Sequence, residues 1–383
     1  MQELELYLHI PFCVQKCAYC DFLSAPAGDA AKEEYVDALK QEIKRYRKMA
    51  RSYRVSSVFV GGGTPSILSC GQILEIFKTL RQVFAIQSDA EITIEANPGT
   101  VTKEKLAAWK QAGINRISFG LQSVKNEELK MLGRIHTYEE FRESYDLARQ
   151  AGFENLNVDL ISAIPGQSVQ SWEETLRTVA ELGPEHISAY SLIIEEGTKF
   201  YQWYREGKQS EGHPALPDEE VERTMYEQTQ EILNEYGFHR YEISNYAKEG
   251  KECRHNLGYW NRTQYLGIGL GASSLIADTR YHLCTDLTSY IERIESGEDL
   301  REEIEVLTKE EMMEEFMFLG LRKMQGVSRT RFEHCFGNPI EEVYGDALNK
   351  LTEEGLLEIE GDHIRLTKRG IDVSNSVFCE FLL

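Results

Sequence analysis

The chain has no uncharged apolar stretch of the roughly 18–20 residues that a membrane-spanning helix needs. Its longest candidate, 263–277, falls short and is broken by glycines. It also lacks the basic-then-apolar opening of a secretory leader, because MQELELYLHI places two glutamates in its first five positions. These absences lead us to expect a cytoplasmic protein with no transmembrane segment. Positive charge is scarce as well: 42 Lys and Arg face 63 Asp and Glu, a formal net charge of −21 over 383 residues. A surface of that sign repels nucleic acid and anionic lipid, so nucleic acid is not expected as a partner. The acids are spread along the chain rather than gathered into a tail, as on a well-solvated surface. The glycines of GIGLG (267–271) do not satisfy GxGxxG, so no dinucleotide site is read there. Of eight cysteines, Cys70, Cys253, Cys284, Cys335 and Cys379 lie far apart, with no second CxxC among them.

The other three cysteines do cluster, as Cys13, Cys17 and Cys20 in HIPFCVQKCAYCDF. Inside a reducing compartment such a cluster reads as metal or redox chemistry rather than as a disulfide framework. Soft thiolates select iron–sulfur clusters, zinc or copper(I). Structural zinc wants four ligands, usually from two CxxC knuckles, and the second knuckle is missing. Three thiolates in one tight loop suit a [4Fe–4S] cube with one iron left open. A ligand bearing an amine and a carboxylate can chelate that iron. The competing reading is a zinc site completed by a distant histidine or by Cys253.

Short β-rich runs recur at 4–10, 57–61, 91–96, 116–121, 155–161 and 186–191. Helical patterns lie between them at about 31–50, 70–84, 102–112, 138–151 and 169–182, and a sixth follows at about 218–236. Six alternating units mean a parallel sheet with helices outside it, either doubly wound or a partial barrel. The run ends carry the unusual chemistry: the cysteine loop, GGGTP (61–65), EANPG (95–99), GLQS (120–123), VDLISAIPG (158–166) and IIEEGT (193–198). In parallel α/β folds all strand C-termini open on one face, where ligands bind, so we expect one large cofactor across the sheet mouth. Beyond about 240 the rhythm fails: 240–274 is rich in aromatics and glycines with no clear helix, and 241–306 reads as a connecting region. From 307 three helices, a hairpin-like LLEIEGDHIRLT and a last helix near 367–380 read as a mainly α, winged-helix-like domain. Residues 301–383 hold 10 basic and 18 acidic side chains, which argues against a phosphate-tracking role. The expected domains are thus 1–240, 241–306 and 307–383.

C-x3-C-x2-C after a first strand, Tyr19 before the third cysteine, and GGGTP after the second strand resemble the radical S-adenosylmethionine superfamily. The resemblance covers roughly residues 4–240 and implies a partial (β/α)6 barrel. It implies that Cys13, Cys17 and Cys20 hold a [4Fe–4S] cluster whose fourth iron binds S-adenosylmethionine. An electron from the reduced cluster would then cleave the sulfonium to methionine and a 5′-deoxyadenosyl radical, the protein supplying orientation and exclusion of water. The same resemblance assigns Gly62, Gly63 and Thr64 to the methionine amino group, through backbone N–H groups free to approach a ligand. Glu95, Gln122, Arg134 and Asp159 would face the bound cofactor, Arg134 with a planar fork suited to a carboxylate, and Tyr7 and Tyr19 would pack near the cluster.

YLHIPFC, YCDF, FVGGGTPS, EANPGT, NRISFGLQS, LGRIH and VDLISAIPGQ together resemble the coproporphyrinogen III dehydrogenase-like group. That group holds an oxygen-independent dehydrogenase and a heme chaperone. The dehydrogenase carries a further cysteine two positions after the third cluster cysteine, where this chain has Phe22, and a long N-terminal extension that is not seen before Cys13. The motif His255-Asn256-Leu257-Gly258-Tyr259-Trp260 marks the heme-binding branch. From the residues alone, His255 reads as a hydrogen-bonded core residue in an aromatic cluster; the resemblance makes it an axial ligand to heme iron, with Cys253 as the alternative ligand. CxxCH is absent, so c-type attachment is not suggested. The expectation is a heme chaperone with a [4Fe–4S] cluster, S-adenosylmethionine and heme, passing heme to an acceptor protein that a membrane could carry. The oligomeric state stays open, a homodimer included. The alternative is radical oxidative decarboxylation of coproporphyrinogen III.

Overall fold

The computed structural model describes residues 1–205 and 211–383. Six strands form its centre: β1 (Gln2–Ile10), β2 (Tyr53–Gly62), β3 (Ile86–Ala96), β4 (Arg116–Gln122), β5 (Leu156–Ser162) and β6 (His186–Ser191). They lie side by side in chain order, each neighbouring pair parallel. β6 does not pair back onto β1, so this is the expected partial barrel rather than a closed one. Outside it run α1 (Asp29–Arg45), α2 (Cys70–Val83), α3 (Lys103–Ala112), α4 (Asn126–Met131), α5 (Tyr138–Gln150), α6 (Val169–Glu181), α7 (Lys199–Tyr204) and α8 (Glu219–Glu235). Ser69 with Gln72, and Thr137 with Glu140, close reciprocal capping boxes that start α2 and α5. Gly113 ends α3 in the left-handed region, φ 85°, where a side chain would be strained.

Alternation along the strands decides what each face does. In β1, Leu4, Leu6, Leu8 and Ile10 are fully buried and join the core with Tyr35, Leu39 and Ile43 of α1. Each such side chain contributes about 1.5–3 kcal/mol by leaving water. The other face carries Glu5, Tyr7 and His9, and the register continues it as rungs across the sheet. Glu5 sits beside Ser57 and Ser57 beside Glu91. Glu95 pairs with Ser118, Ser118 with Asn157, and Asn157 with His186. The barrel is therefore apolar towards its helices and polar within.

The segment 241–306 is regular, with a helix in the stretch read as having none; that expectation is corrected. It forms β8 (Asn245–Ala247), α9 (Arg254–Trp260), β9 (Tyr265–Ile268), β10 (Ser273–Ile276), β11 (Thr279–Leu283), α10 (Leu287–Ser296) and β12 (Arg301–Val306). With β7 (His239–Arg240) these strands extend the sheet at both edges, in the order β12-β11-β10-β9-β1 on one side and β6-β8-β7 on the other. β9 runs parallel to β1, and β10 to β12 turn back antiparallel. The GIGLG glycines serve this packing. A Cβ on Gly267 would stand 2.3 Å from the Ser273 carbonyl oxygen, and Gly269, at φ 102°, lets the Tyr35 hydroxyl come close.

The C-terminal unit has its own core, built around Phe316, Met317, Phe332, Tyr344, Leu348 and Ile364. Helices α11 (Lys309–Gly320), α12 (Arg329–Phe336) and α13 (Ile340–Glu353) precede the hairpin β14 (Leu357–Glu360) and β15 (His363–Leu366), which β13 (Val327–Ser328) completes. The single last helix expected over 367–380 is two short ones, α14 (Lys368–Asp372) and α15 (Ser374–Cys379), broken at Val373. Buried Glu315 ties this unit to the barrel, accepting from Arg262 at 2.7 Å and from Arg280. Among the described residues no helix is long and apolar enough to cross a membrane.

Gly→Ala inside a strand ordinarily helps, because glycine loses the most backbone freedom on folding. Gly267→Ala should instead destabilise the chain by about 1–3 kcal/mol, since the clash is with backbone. A urea midpoint equal to or above wild type would contradict the β9–β10 packing.

Candidate functional site

The ends of the parallel strands open into one cavity of ≈ 670 Å³ of empty space, solvent-facing on one side. Cys13, Cys17, Tyr19 and Cys20 line it from the loop after β1. Opposite stand Gly62, Gly63, Thr64, Glu95, Gln122, Arg134 and Asp159. Eleven of the thirteen residues singled out from the sequence thus meet in one place. Tyr7 and His255 do not.

The cysteine loop is held from several sides. Lys16 Nζ donates to the Phe22 carbonyl at 3.0 Å, and Ala18 N–H to the Leu132 carbonyl at 2.9 Å. Tyr7 lies beneath it rather than in the cavity wall: its hydroxyl meets His9 Nδ1 at 3.1 Å, and His9 Nε2 meets the Leu23 carbonyl at 2.8 Å. Burial pushes the thiols of Cys13 and Cys20 above their ordinary range. Arg134 directs Nη1 at Cys17 Sγ, 3.7 Å away, while Nη2 donates to Asn97 Oδ1 at 2.8 Å and to the Gly120 carbonyl at 2.5 Å. Among the described residues no three Cys, His, Asp or Glu side chains converge as they must on a single ion. The donor set, three soft thiols spread along one loop with a polar wall opposite, fits a larger sulfur-bridged group with one position left for a ligand.

The glycine segment corrects one expectation. Its N–H groups are not free: Gly62 donates to Glu95 Oε2 at 3.1 Å, Gly63 to the Ile10 carbonyl at 2.8 Å and Thr64 to the Phe12 carbonyl at 2.7 Å. These bonds pin the loop after β2 against the cysteine loop. A Cβ on Gly63 would stand 2.5 Å from the Phe12 carbonyl oxygen, so glycine is required there by close approach. Glu95 is pushed up to about 8, first by burial and then by the charge of Asp159. Burial also raises Asp159, although Asn157 Nδ2 at 2.8 Å and Ser118 Oγ at 3.0 Å donate to it. Two residues of this wall were missed in the sequence. Asn97 accepts from Arg134 and donates from Nδ2 to Thr64 Oγ1 at 3.1 Å, joining two loops. Its signal was present in EANPG, where an asparagine stands at a strand end before Pro-Gly. Ser118 lies two residues before Gly120 on the same inward face.

The structure places His255, assigned to heme by the resemblance, inside the barrel wall rather than at an open surface. Its ring is 2% exposed. Nδ1 meets Ser57 Oγ at 2.8 Å, Nε2 meets the Tyr259 hydroxyl at 3.1 Å, and the ring stacks on Phe59 at 5.2 Å. Both nitrogens are engaged and neither face is open, as in the core-residue reading. Cys253, fully buried, donates to Glu91 Oε1 at 3.3 Å and does not reach the cysteine cavity. Glu5 Oε2 lies 3.9 Å from His255 Nδ1 and has no hydrogen-bond partner. Burial drives the two apart: Glu5 up to about 9, His255 down to about 3. At neutral pH the pair is uncharged.

A parallel partial barrel whose mouth is ringed by three cysteines and a glycine turn defines a radical S-adenosylmethionine protein, and the radical SAM superfamily pattern matches residues 7–179. A second pattern, the HemN C-terminal domain, matches 307–373. The chain is 39% identical to heme chaperone HemW of Bacillus subtilis across 98% of both chains. It is 36% identical to heme chaperone HemW of Escherichia coli, over 100% of this chain and 99% of that one. The structure superposes on coproporphyrinogen III oxidase (HemN) of Escherichia coli with a TM-score of 0.87 and 25% identity, covering 100% of this chain and 90% of that one. The chain belongs to the HemW family.

The neutral Glu5–His255 pair sets a pH dependence. A carboxyl whose pKa rises on folding gives up stability as pH climbs from the unfolded value, 4.5, towards 9. A histidine whose pKa falls gives it up as pH drops from 6.5 towards 3. Glu5→Gln, which mimics the protonated acid, should flatten the alkaline limb, worth at most about 1.4 kcal/mol per pH unit, and leave the acid limb. Denaturant midpoints from pH 5 to 9 test this; parallel curves for variant and wild type would mean that Glu5 is ionised in the fold.

Proposed function

We propose that this chain is a heme chaperone: it binds heme for delivery to an acceptor protein and carries a [4Fe–4S] cluster and S-adenosylmethionine at the barrel mouth. The single observation that carries the reading is full-length identity of 39% to a heme chaperone. Phe22 supports it, standing 58% exposed at the cavity rim where the dehydrogenase would place a further cysteine.

Cys13, Cys17 and Cys20 would hold the cluster, which when bound supplies a redox-active iron that an amino-carboxylate can chelate. The rest is this chain's own work. Arg134, fixed by Asn97 and Gly120, offers its remaining donors to a carboxylate. An amine bound to iron still carries N–H donors and needs acceptors, a role that the carbonyl oxygens of the glycine segment, and not its N–H groups, would fill. Asp159 and Gln122 face the same space and suit a sugar or a base. Tyr19 closes the cavity floor against Phe200. The described fold and the free state of all eight cysteines suit the reducing cytoplasm, where we place the protein.

Anaerobic reconstitution followed by heme titration at the Soret band tests the function. Stoichiometric binding without coproporphyrinogen turnover is the expected outcome. Turnover with weak heme binding would make the protein the dehydrogenase that its fold also matches. In the same preparation Asn97→Ala should keep the cluster absorbance and weaken S-adenosylmethionine binding about tenfold, the value of roughly one hydrogen bond to a charged group.

A further inference from the structure

The HNxxYW helix α9 has two sides. His255 and Gly258 face the barrel wall, while Leu257 and Trp260 line a second cavity, ≈ 820 Å³ of empty space, between α9 and the C-terminal unit. This cavity is unlike the rest of the surface. In a chain of net charge −21 its lining contains Arg262, Lys323, Arg331 and His363, and no Asp or Glu. Arg262 is paired with Glu315, yet its Nη2 is buried without a partner. Lys323 Nζ and Arg331 Nη1 both point at Asn261 Oδ1, at 2.5 and 3.1 Å, and Arg331 Nη2 donates to the Asn261 carbonyl at 2.9 Å. Among the described residues neither cation has a carboxylate within ion-pair distance. Burial and the neighbouring Arg331 bring Lys323 down to about 8.

Lys323 is largely buried and Arg331 is exposed beside it; with no carboxylate of their own, the two cations make this rim attractive to an anion. Within this mostly polar lining Phe316, Val327 and Leu257 make one apolar patch beside Trp260, whose ring is backed by the Arg322 guanidinium at 4.6 Å. Trp260 Nε1 is itself buried without a hydrogen-bond partner. An apolar patch bordered by basic side chains without carboxylate partners fits a flat apolar body bearing carboxylates.

We propose that this cavity seats such an amphiphilic carboxylate, and, resting on the heme-binding reading above, that Lys323 and Arg331 take the propionate edge of heme beside Trp260. The motif would then serve heme through its outward tryptophan rather than through its buried histidine.

Hemin and its dimethyl ester differ only in the propionate charges. Wild type should bind hemin at least tenfold more tightly than the ester, and the Lys323→Gln, Arg331→Gln double variant should bind the two within threefold. A fold defect alone would weaken both ligands together, and the Lys323→Arg variant should retain the preference. Equal binding of acid and ester by wild type would overturn the proposal while leaving heme binding intact. Should wild type bind neither, the heme reading fails, and 2-naphthoate, a flat ring with one carboxylate, decides the site. A shift of the Lys323 side-chain resonance on its addition keeps a carboxylate site fed by another source, and an unmoved resonance overturns it.

Discussion

Everything at the barrel mouth depends on satisfying a buried polar interior. Below the open mouth much of the sheet's inner face is buried, so each polar side chain there must find a partner or lose its charge. Here both happen. Asn157 gives Nδ2 to Ser118 and Asp159, while its oxygen meets His186 Nδ1 at 2.6 Å. His186 passes on to the Tyr241 hydroxyl at 2.9 Å. Where burial outweighs the partners, protonation changes instead, and Glu5 and Glu95 rise into the neutral range or above it. Burial first, and then the positive charge of Arg116, itself 2% exposed, hold His186 and His255 neutral.

That ladder explains why the mouth can be specific. Residues on successive rungs are fixed in height and direction by strand register, so Glu95, Gly120 and Asp159 arrive at the opening without depending on mobile loops. The loops that do contribute are tied to the ladder. Glu95 takes the Gly62 N–H, and Asn97 links Thr64 to Arg134, which reaches Cys17. A thiol loop near the start of the chain and an arginine more than a hundred residues later are thereby placed in one frame. Polar groups positioned in advance do not have to reorganise when a charged ligand arrives.

The six parallel units were legible because their cues are local: β-rich runs alternating with helical patterns, and polar residues at each strand end. The cysteine triad was legible by spacing alone. What could not be read was the way 241–306 completes the sheet. β9 is only four residues, and its pairing with β1 spans some 260 positions, so no local periodicity announces it. Its glycines are there to admit Ser273 and Tyr35, an identity fixed by partners distant in space. The burial of His255 was illegible for a related reason. A histidine in an aromatic stretch has the same local signature whether it faces a ligand or a wall, and Ser57, Phe59 and Glu5, which settle the matter, lie about two hundred residues away or more. The resemblance favoured the ligand; the burial favours the wall.

One short helix therefore joins two environments. Glu5 lies so close to Gly258 that a Cβ there would stand 2.1 Å from its carboxyl oxygens. Glycine at that position lets α9 sink against the barrel, which sets His255 between Ser57 and Tyr259. With the inner side fixed, helix geometry leaves no freedom for the outer side. Trp260, five residues on, must turn towards the C-terminal unit, and Asn261 at the helix end must receive Lys323 and Arg331. The Arg262–Glu315–Arg280 bridge holds that unit at the same edge. Histidine, glycine and tryptophan at this spacing are thus one structural device: the first two anchor the helix in the barrel, and the third is presented at the junction with the C-terminal unit. A ligand held at that junction would contact both units at once, so its arrival or departure would be coupled to how they are held together, and that coupling is what a carrier, unlike a catalyst, requires of its binding site.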